Sequence, residues 1–262
     1  MITHLPFSWD VIRLKKILLI GTGGTIACIK GSDIHLDRPF KILDYMSFEG
    51  VEFDCASPFT ILSENMDFEH WKRLIDFIDS VDFSEYEGVI VLHGSDTLSF
   101  TGALLANAFR GRPIVLVASD RPLEDKSANG FLNFRRAVEY ILNGIDSVHI
   151  SYDEIYQVPY SDDIKKTCFT PRNILVISPY ININYNNYCL DNVDAVLHTM
   201  YHSATAPKNV SDFAAKCKSR GIPFYFVTEN SSADYESAKN FENIIFNSTL
   251  ESAYAALLLG KK

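Results

Sequence analysis

No stretch of this 262-residue chain approaches the roughly 20 consecutive apolar residues that a bilayer span requires. The first apolar run, residues 17–20, is also too short for a secretory signal, and it leads straight into a glycine loop. Cysteine is sparse: the five are widely spaced, odd in number and form no CxxC pair. That pattern argues against a disulfide framework and a structural zinc site. It reads as free thiols in a reducing compartment, so a cytoplasmic setting is expected. Positive charge is short as well, with 24 Lys and Arg against 33 Asp and Glu, a net charge of −9. Such a surface repels phosphate backbones, so neither nucleic acid nor an anionic membrane is expected as partner. There is no internal repeat and no low-complexity tract.

What is present is an ordinary globular composition, 47% hydrophobic and 22% charged, with enough apolar content for a sizeable core. Short β-branched runs at 16–20, 88–92, 113–117, 147–150, 173–177, 195–198 and 223–227 predict strands. Helical spacing appears between them. Phe68, Trp71, Leu74, Ile75 and Ile78 recur on one face behind an N-cap at Asp67. Residues 98–109 form a second helical pattern, stopped by Gly111 and Pro113. Further patterns cover 131–142, 210–218 and 250–259. Alternating strands and helices predict an α/β fold with mostly parallel sheets and helices on both faces. The polar stretch at 159–171 interrupts the alternation. It divides the chain into a larger N-terminal domain, 1–165, and a smaller parallel α/β domain, 172–262.

Four segments carry chemistry. LLIGTGGTIA, residues 18–27, runs from a buried strand into a loop with Gly21, Gly23 and Gly24. Such a loop at the carboxyl end of a parallel strand is where ligands bind. A dinucleotide fingerprint would need glycine where Ile26 stands, and a phosphate loop would need a lysine that is missing. The loop therefore presents hydroxyls rather than cradling phosphates, although taken alone it is equally a tight turn. GVIVLHGSDTLSF, residues 88–100, ends a strand at His93 and Gly94 and opens a helix with Ser95, Asp96 and Thr97. Such a cluster serves equally as a helix cap. His93 reads as a packed turn residue rather than a base. ILSENMDFEHW, residues 61–71, offers Ser63, Glu64 and Asn65 ahead of a helix. RPLEDKSANGFLN, residues 121–133, reads as a loop leading into one.

Taken together, in this order and spacing, these segments resemble the bacterial L-asparaginase family. That family carries a TGGTIA loop, an S-x-[DN]-M loop, an HGTDT turn and an RP…SADGP.NL segment. The matches here are residues 22–27, 63–66, 93–97 and 121–133, and NSTLESAYAALLLG resembles the family's final helix. The resemblance implies hydrolysis of a side-chain amide by a threonine nucleophile, with no metal and no cofactor. It places the nucleophile at Thr25 and the second hydroxyl and its aspartate at Ser95 and Asp96. The proton-accepting lysine falls at Lys166, or alternatively Lys165. Gly24, Gly94, Ser63 and Glu64 become substrate-facing positions. It also implies a small amino-acid amide as substrate and a homodimer or homotetramer as the assembly.

The chemistry suits these residue types. A threonine hydroxyl needs a neighbour to take its proton, and a lysine does so once burial or nearby charge lowers its pKa. Ser95 would relay the proton, Asp96 would hold an α-ammonium, Ser63 would donate to an α-carboxylate, and backbone amides would hold the oxyanion. The chain also departs from the family pattern. Ser95 replaces threonine, Glu64 stands beside the expected α-carboxylate, and the segment after the nucleophile, CIKGSDIHLDRPF, has no tyrosine. YHSATAP, residues 201–207, replaces a glycine-rich stretch. Three readings follow. The first is an amidohydrolase acting on L-asparagine or a related amide. The second is an amino-acid-binding module with little or no turnover. The third is an asparaginase-like subunit of a tRNA amidotransferase, which the acidic balance disfavours.

Overall fold

The computed structural model describes residues 14–160 and 168–260. In chain order the first layer comprises β1 (Lys15–Gly21), β2 (Cys28–Lys30), β3 (Ile34–Leu36), β4 (Val51–Ala56), α1 (Phe68–Asp79), β5 (Gly88–Leu92), α2 (Leu98–Ala108), β6 (Ile114–Val117), α3 (Gly130–Leu142), β7 (Val148–Tyr152) and β8 (Glu154–Gln157). The second comprises β9 (Ile174–Ile177), β10 (Ala195–Thr199), α4 (Val210–Ser219), β11 (Phe224–Val227), β12 (Ile244–Ile245) and α5 (Leu250–Leu258).

The first sheet has strand order β4-β1-β5-β6-β7-β8, and every pair is parallel except β7 with β8. Its central strands β1, β5 and β6 are buried on both faces, which is why they read as unbroken apolar runs rather than alternating ones. One face packs Leu18, Ile20, Val89, Val91 and Leu116 against α1 and α2. The other packs Ile17, Leu19, Ile90, Val115 and Val117 against α3. The second sheet, β12-β11-β10-β9, is wholly parallel and has its own core around Val196, Phe213, Phe224 and Phe226.

The seven expected strands and five expected helices are all present within one or two residues. The Asp67 carboxylate caps α1 by accepting from the His70 N–H at 2.9 Å. The helix α5 belongs to both units. Ala255, Leu258 and Leu259 join the first core, while Ala253 and Leu257 pack with Leu197 and Val227 of the second. The last strand of the first sheet ends at Gln157 and the first strand of the second begins at Ile174.

The topology fixes where a ligand can sit. From β1 the chain proceeds to β4 on one side and then to β5 on the other, so the strand order reverses beside β1. Adjacent connections diverge there and open a crevice at the carboxyl ends of β1 and β5. The two most distinctive loops, 22–27 and 93–97, leave those two strands.

Candidate active site

The loop after β1 is tied down on both sides. Thr22 donates its N–H and its Oγ1 hydroxyl to the Leu92 carbonyl, at 3.0 and 2.9 Å. Ile61 N–H donates to Thr22 O and Gly24 N–H to Ile61 O, both at 3.0 Å. Gly23 and Gly24 have φ of 108° and 75°, the region that favours glycine. Space demands glycine there as well. A Cβ on Gly24 would lie 2.2 Å from Gly94 Cα, and one on Gly94 would lie 2.2 Å from Ser63 Oγ. Gly94 is thus packed directly against both Gly24 and Ser63. Each precedes or belongs to a group expected to react or bind, so the contact sets Thr25, Ser95 and Ser63 around one crevice.

Thr25 opens a 3-10 turn, Thr25–Ala27, and is half-buried. Ser95 is half-buried and Asp96 is exposed at the start of α2. Ser63 is buried, and its Oγ donates to Asp96 Oδ2 at 3.3 Å, while Thr97 Oγ1 donates to Ser63 O at 3.1 Å. Glu64 is exposed at the rim, close enough for its charge to push up the pKa of the Cys28 thiol, which burial raises first. Gly24 uses its N–H on Ile61, so its contribution to the crevice is a bare Cα rather than a hydrogen-bond donor. Lys166 and Lys165 lie outside the described residues.

His93 is fully buried. Its Nδ1 bonds the Gly94 carbonyl at 2.8 Å, which fixes the ring as an Nδ1–H donor, and burial pushes its pKa down to about 4. It is a neutral turn residue at ordinary pH.

The far wall comes from the fourth motif. Asp120 and Asn129 bond each other reciprocally: Asp120 N–H to Asn129 Oδ1 at 2.8 Å, and Asn129 N–H to Asp120 Oδ1 at 3.0 Å. Asn133 Nδ2 donates to Ala118 O at 2.9 Å, and its Oδ1 accepts from Asp153 N–H at 3.1 Å, which joins α3 to the ends of β6 and β7. Tyr152, at the end of β7, lies within electrostatic reach of Asp153, Asp120 and Asp96. Burial first, then these carboxylates, raise its pKa and keep the phenol protonated.

Two residues at this site escaped sequence reasoning. Nothing in the strand pattern marks Tyr152 as lying within electrostatic reach of Asp96 and Asp120. Lys41 is buried and bonds the Cys28 carbonyl at 2.7 Å. Its signal was there to find, because a lysine between Phe40 and Ile42 is a charge inside an apolar run. Among the described residues no group of three or more His, Cys, Asp and Glu side chains is placed to hold a metal ion. No helix among them is long and apolar enough to cross a membrane. All five cysteines are free thiols.

The family model described as "Asparaginase, N-terminal" matches residues 16–157. Over 135 residues the chain is 31% identical to a glutamyl-tRNA(Gln) amidotransferase component from Methanopyrus kandleri, a match covering 45% of this chain and 29% of the relative. It is 26% identical over 144 residues to the L-asparaginase of Thermococcus kodakarensis, covering 52% and 44%. The chain thus spans less than half the length of these curated relatives. Among solved structures, the L-asparaginase I of Vibrio cholerae superposes with a TM-score of 0.74 at 21% identity, covering 94% of this chain and 92% of that one. A probable cytoplasmic L-asparaginase from Campylobacter jejuni gives 0.70 at 19% identity, covering 94% of both. At these identities the solved structures speak for the fold.

Proposed function

The chain belongs to the asparaginase family, and on that footing we propose that it is an amidohydrolase releasing ammonia from the side-chain amide of L-asparagine or a related amino-acid amide. The observation that supports this reading is the packing of Gly94 against both Gly24 and Ser63. It supports a site in which a threonine hydroxyl, a serine hydroxyl and a carboxylate share the crevice where the strand order reverses.

In this reading Thr25 Oγ1 attacks the amide carbon and its proton passes by way of Ser95 to Lys166, or to Lys165 if the lysine lies one residue earlier. The N–H groups opening the Thr25–Ala27 turn have no partner within it and are the donors we assign to the oxyanion. The intermediate collapses by expelling the amine, which takes up a proton and leaves as ammonia. An acyl-threonine ester remains, and water hydrolyses it to the carboxylate and free Thr25. Asp96 holds the substrate α-ammonium. The Ser63 hydroxyl, which rests on Asp96 in the free protein, turns to the α-carboxylate as the ammonium takes its place. No cofactor or metal enters these steps.

The decisive measurement is ammonia release from L-asparagine, L-glutamine and small amides. Release from an amino-acid amide above a Thr25→Val control supports the reading, and none from any of them refutes it. Glu64 beside the binding groups favours a second reading, an amino-acid-binding protein without turnover. Binding of L-asparagine by calorimetry with no ammonia released would select it. The amidotransferase relatives favour a third, in which this chain supplies ammonia to a partner protein, and co-purifying tRNA would select that one.

Five unpaired cysteines support a reducing, cytoplasmic setting. We also propose a domain boundary between 165 and 172 and a homodimer or homotetramer. The latter is supported by Tyr180 and Ile181, which project at 52% and 94% exposure. Light scattering that shows a monomer at high concentration would remove that assembly.

A further inference from the structure

The reaction above leaves one buried charge unused. Lys41 is 2% exposed, and its ammonium donates to the Cys28 carbonyl at 2.7 Å, lies 3.6 Å from Asp37 and pairs with Glu124. A buried ammonium has three protons to satisfy, and these three acceptors come from three different parts of the site. Cys28 closes the turn that begins at Thr25, and its thiol reaches back to Gly24 O at 3.3 Å. Asp37 follows the β2–β3 hairpin and donates its N–H to Ala27 O at 2.8 Å. Glu124 belongs to the segment that builds the far wall. Its carboxyl is pushed up by burial but held below the usual range by the Lys41 hydrogen bond. The neighbouring Pro39 and Phe40 press on the end of β1, where a Cβ on Gly21 would lie 2.6 Å from Pro39 Cβ.

We infer that Lys41 is a positioning residue for Thr25, clipping the nucleophile turn, the hairpin after it and the opposite wall of the crevice into one geometry. The inference rests on the reading that Thr25 is the nucleophile. A buried ion pair is by itself a poor guide to stability. What distinguishes this one is the third acceptor, a peptide carbonyl three residues beyond the reacting hydroxyl. Releasing it frees the turn to shift relative to Ser95, and a misplacement of about 1 Å costs on the order of a hundredfold in rate.

The test uses the full chain. Native-state alkylation with iodoacetamide, resolved by peptide mass spectrometry, reports Cys28, with the buried Cys217 of the second sheet as internal control. In Lys41→Met, Cys28 should label about tenfold faster while Cys217 is unchanged, as for a local opening. Lys41 lowers the Cys28 pKa, so removing it disfavours the reactive thiolate. Faster labelling can then only report opening. In ammonia release, kcat should fall by about tenfold or more with KM within about threefold, because Ser63 and Asp96 bond each other and not Lys41. Lys41→Arg should recover most of both. Glu124→Gln, which keeps the bond to Cys28, should lower kcat by a smaller factor and serves through that readout if Lys41→Met does not fold, since losing the Glu124 charge by itself favours the Cys28 thiolate. Wild-type Cys28 protection and kcat in folded Lys41→Met would overturn the inference. So would equal deprotection of Cys28 and Cys217 in Lys41→Met and Glu124→Gln alike, which would make Lys41 a residue of general stability. If the wild-type chain releases no ammonia from any amide, the functional reading fails, and the Cys28 labelling alone decides whether the clip exists.

Discussion

The positive-φ turns of the first sheet are mostly glycine, with Asp153 as an exception, and those of the second are mostly asparagine, with Ala204 and Gly221 among them. In the first, the site loop uses Gly23 and Gly24, where a Cβ would collide with Ile61 and Gly94 backbone. In the second, Asn182, Asn192, Ala204, Asn243 and Asn247 take positive φ with side chains in place. Asparagine tolerates that region because its short amide bonds locally. Ala204 has no such help. It is buried at φ 53° in YHSATAP, where the family resemblance led us to expect glycine. The difference teaches that positive φ alone does not demand glycine. Close backbone approach does, and among the described glycines of positive φ it occurs at Gly23 and Gly24, in the crevice of the first sheet.

The largest effect that would break this contrast is on chemistry. Thr25→Val removes the hydroxyl and keeps the shape, so ammonia release should fall by more than about a thousandfold while L-asparagine binding survives. Undiminished release would show that the glycine-lined crevice is not where the reaction occurs. Next comes a matched pair of glycines. Gly24 and Gly221 share nearly the same φ, 75° and 72°, but an added Cβ at Gly221 meets nothing within 4 Å. Gly221→Ala should cost only the left-handed penalty, about 1–2 kcal/mol. Gly24→Ala meets two further costs, overpacking of about 1–3 kcal/mol and a ψ of −179° that at this φ is essentially reserved for glycine, and should abolish activity. Equal melting shifts for the pair would remove close approach as the cause.

Acid stability sharpens the comparison further, because each half holds a fully buried histidine, His93 in the first and His198 in the second. His198 accepts from the Tyr185 hydroxyl at 2.8 Å and donates Nδ1–H to Thr199 O at 2.6 Å. Burial pushes its pKa down to about 4, as it does for His93. Both groups bind a proton more readily when unfolded. The stability they contribute is therefore full above about pH 6.5 and is lost as pH falls toward 4, by about 3 kcal/mol each. His198→Gln, which can keep one donor and one acceptor, should flatten the fall in melting temperature across that window. A slope identical to wild type would clear His198. The smallest effect is at the rim. Glu64 is exposed, so Glu64→Gln should tighten L-asparagine binding between pH 5 and 8 by less than about 1 kcal/mol. Weaker binding across that range would make Glu64 an ammonium ligand instead.

The elements legible in the sequence are those with a strong local signal. β1, β5 and β6 are unbroken apolar runs, and α1 shows its face at Trp71, Leu74 and Ile78 behind the Asp67 cap. Strands that went unseen lie where that signal fades. β4 and β8 are sheet edges with mixed exposure, β2 and β3 form a three-residue hairpin, and β12 has two residues. An edge strand is half solvated and draws its order from one neighbour, so its own residues need not alternate cleanly.

By itself the sequence determined the α/β alternation, the five helices and the positions of Gly23, Gly24 and Gly94, because periodicity and the glycine requirement are written into local residues. Tertiary structure alone decided that α5 closes both cores, that the charge of Asp96 reaches Tyr152, and that Lys41 joins Cys28 to Glu124. Those meetings unite residues tens of positions apart. Partners so distant leave no spacing to read, and only the order in which the strands pair brings them within reach of one another.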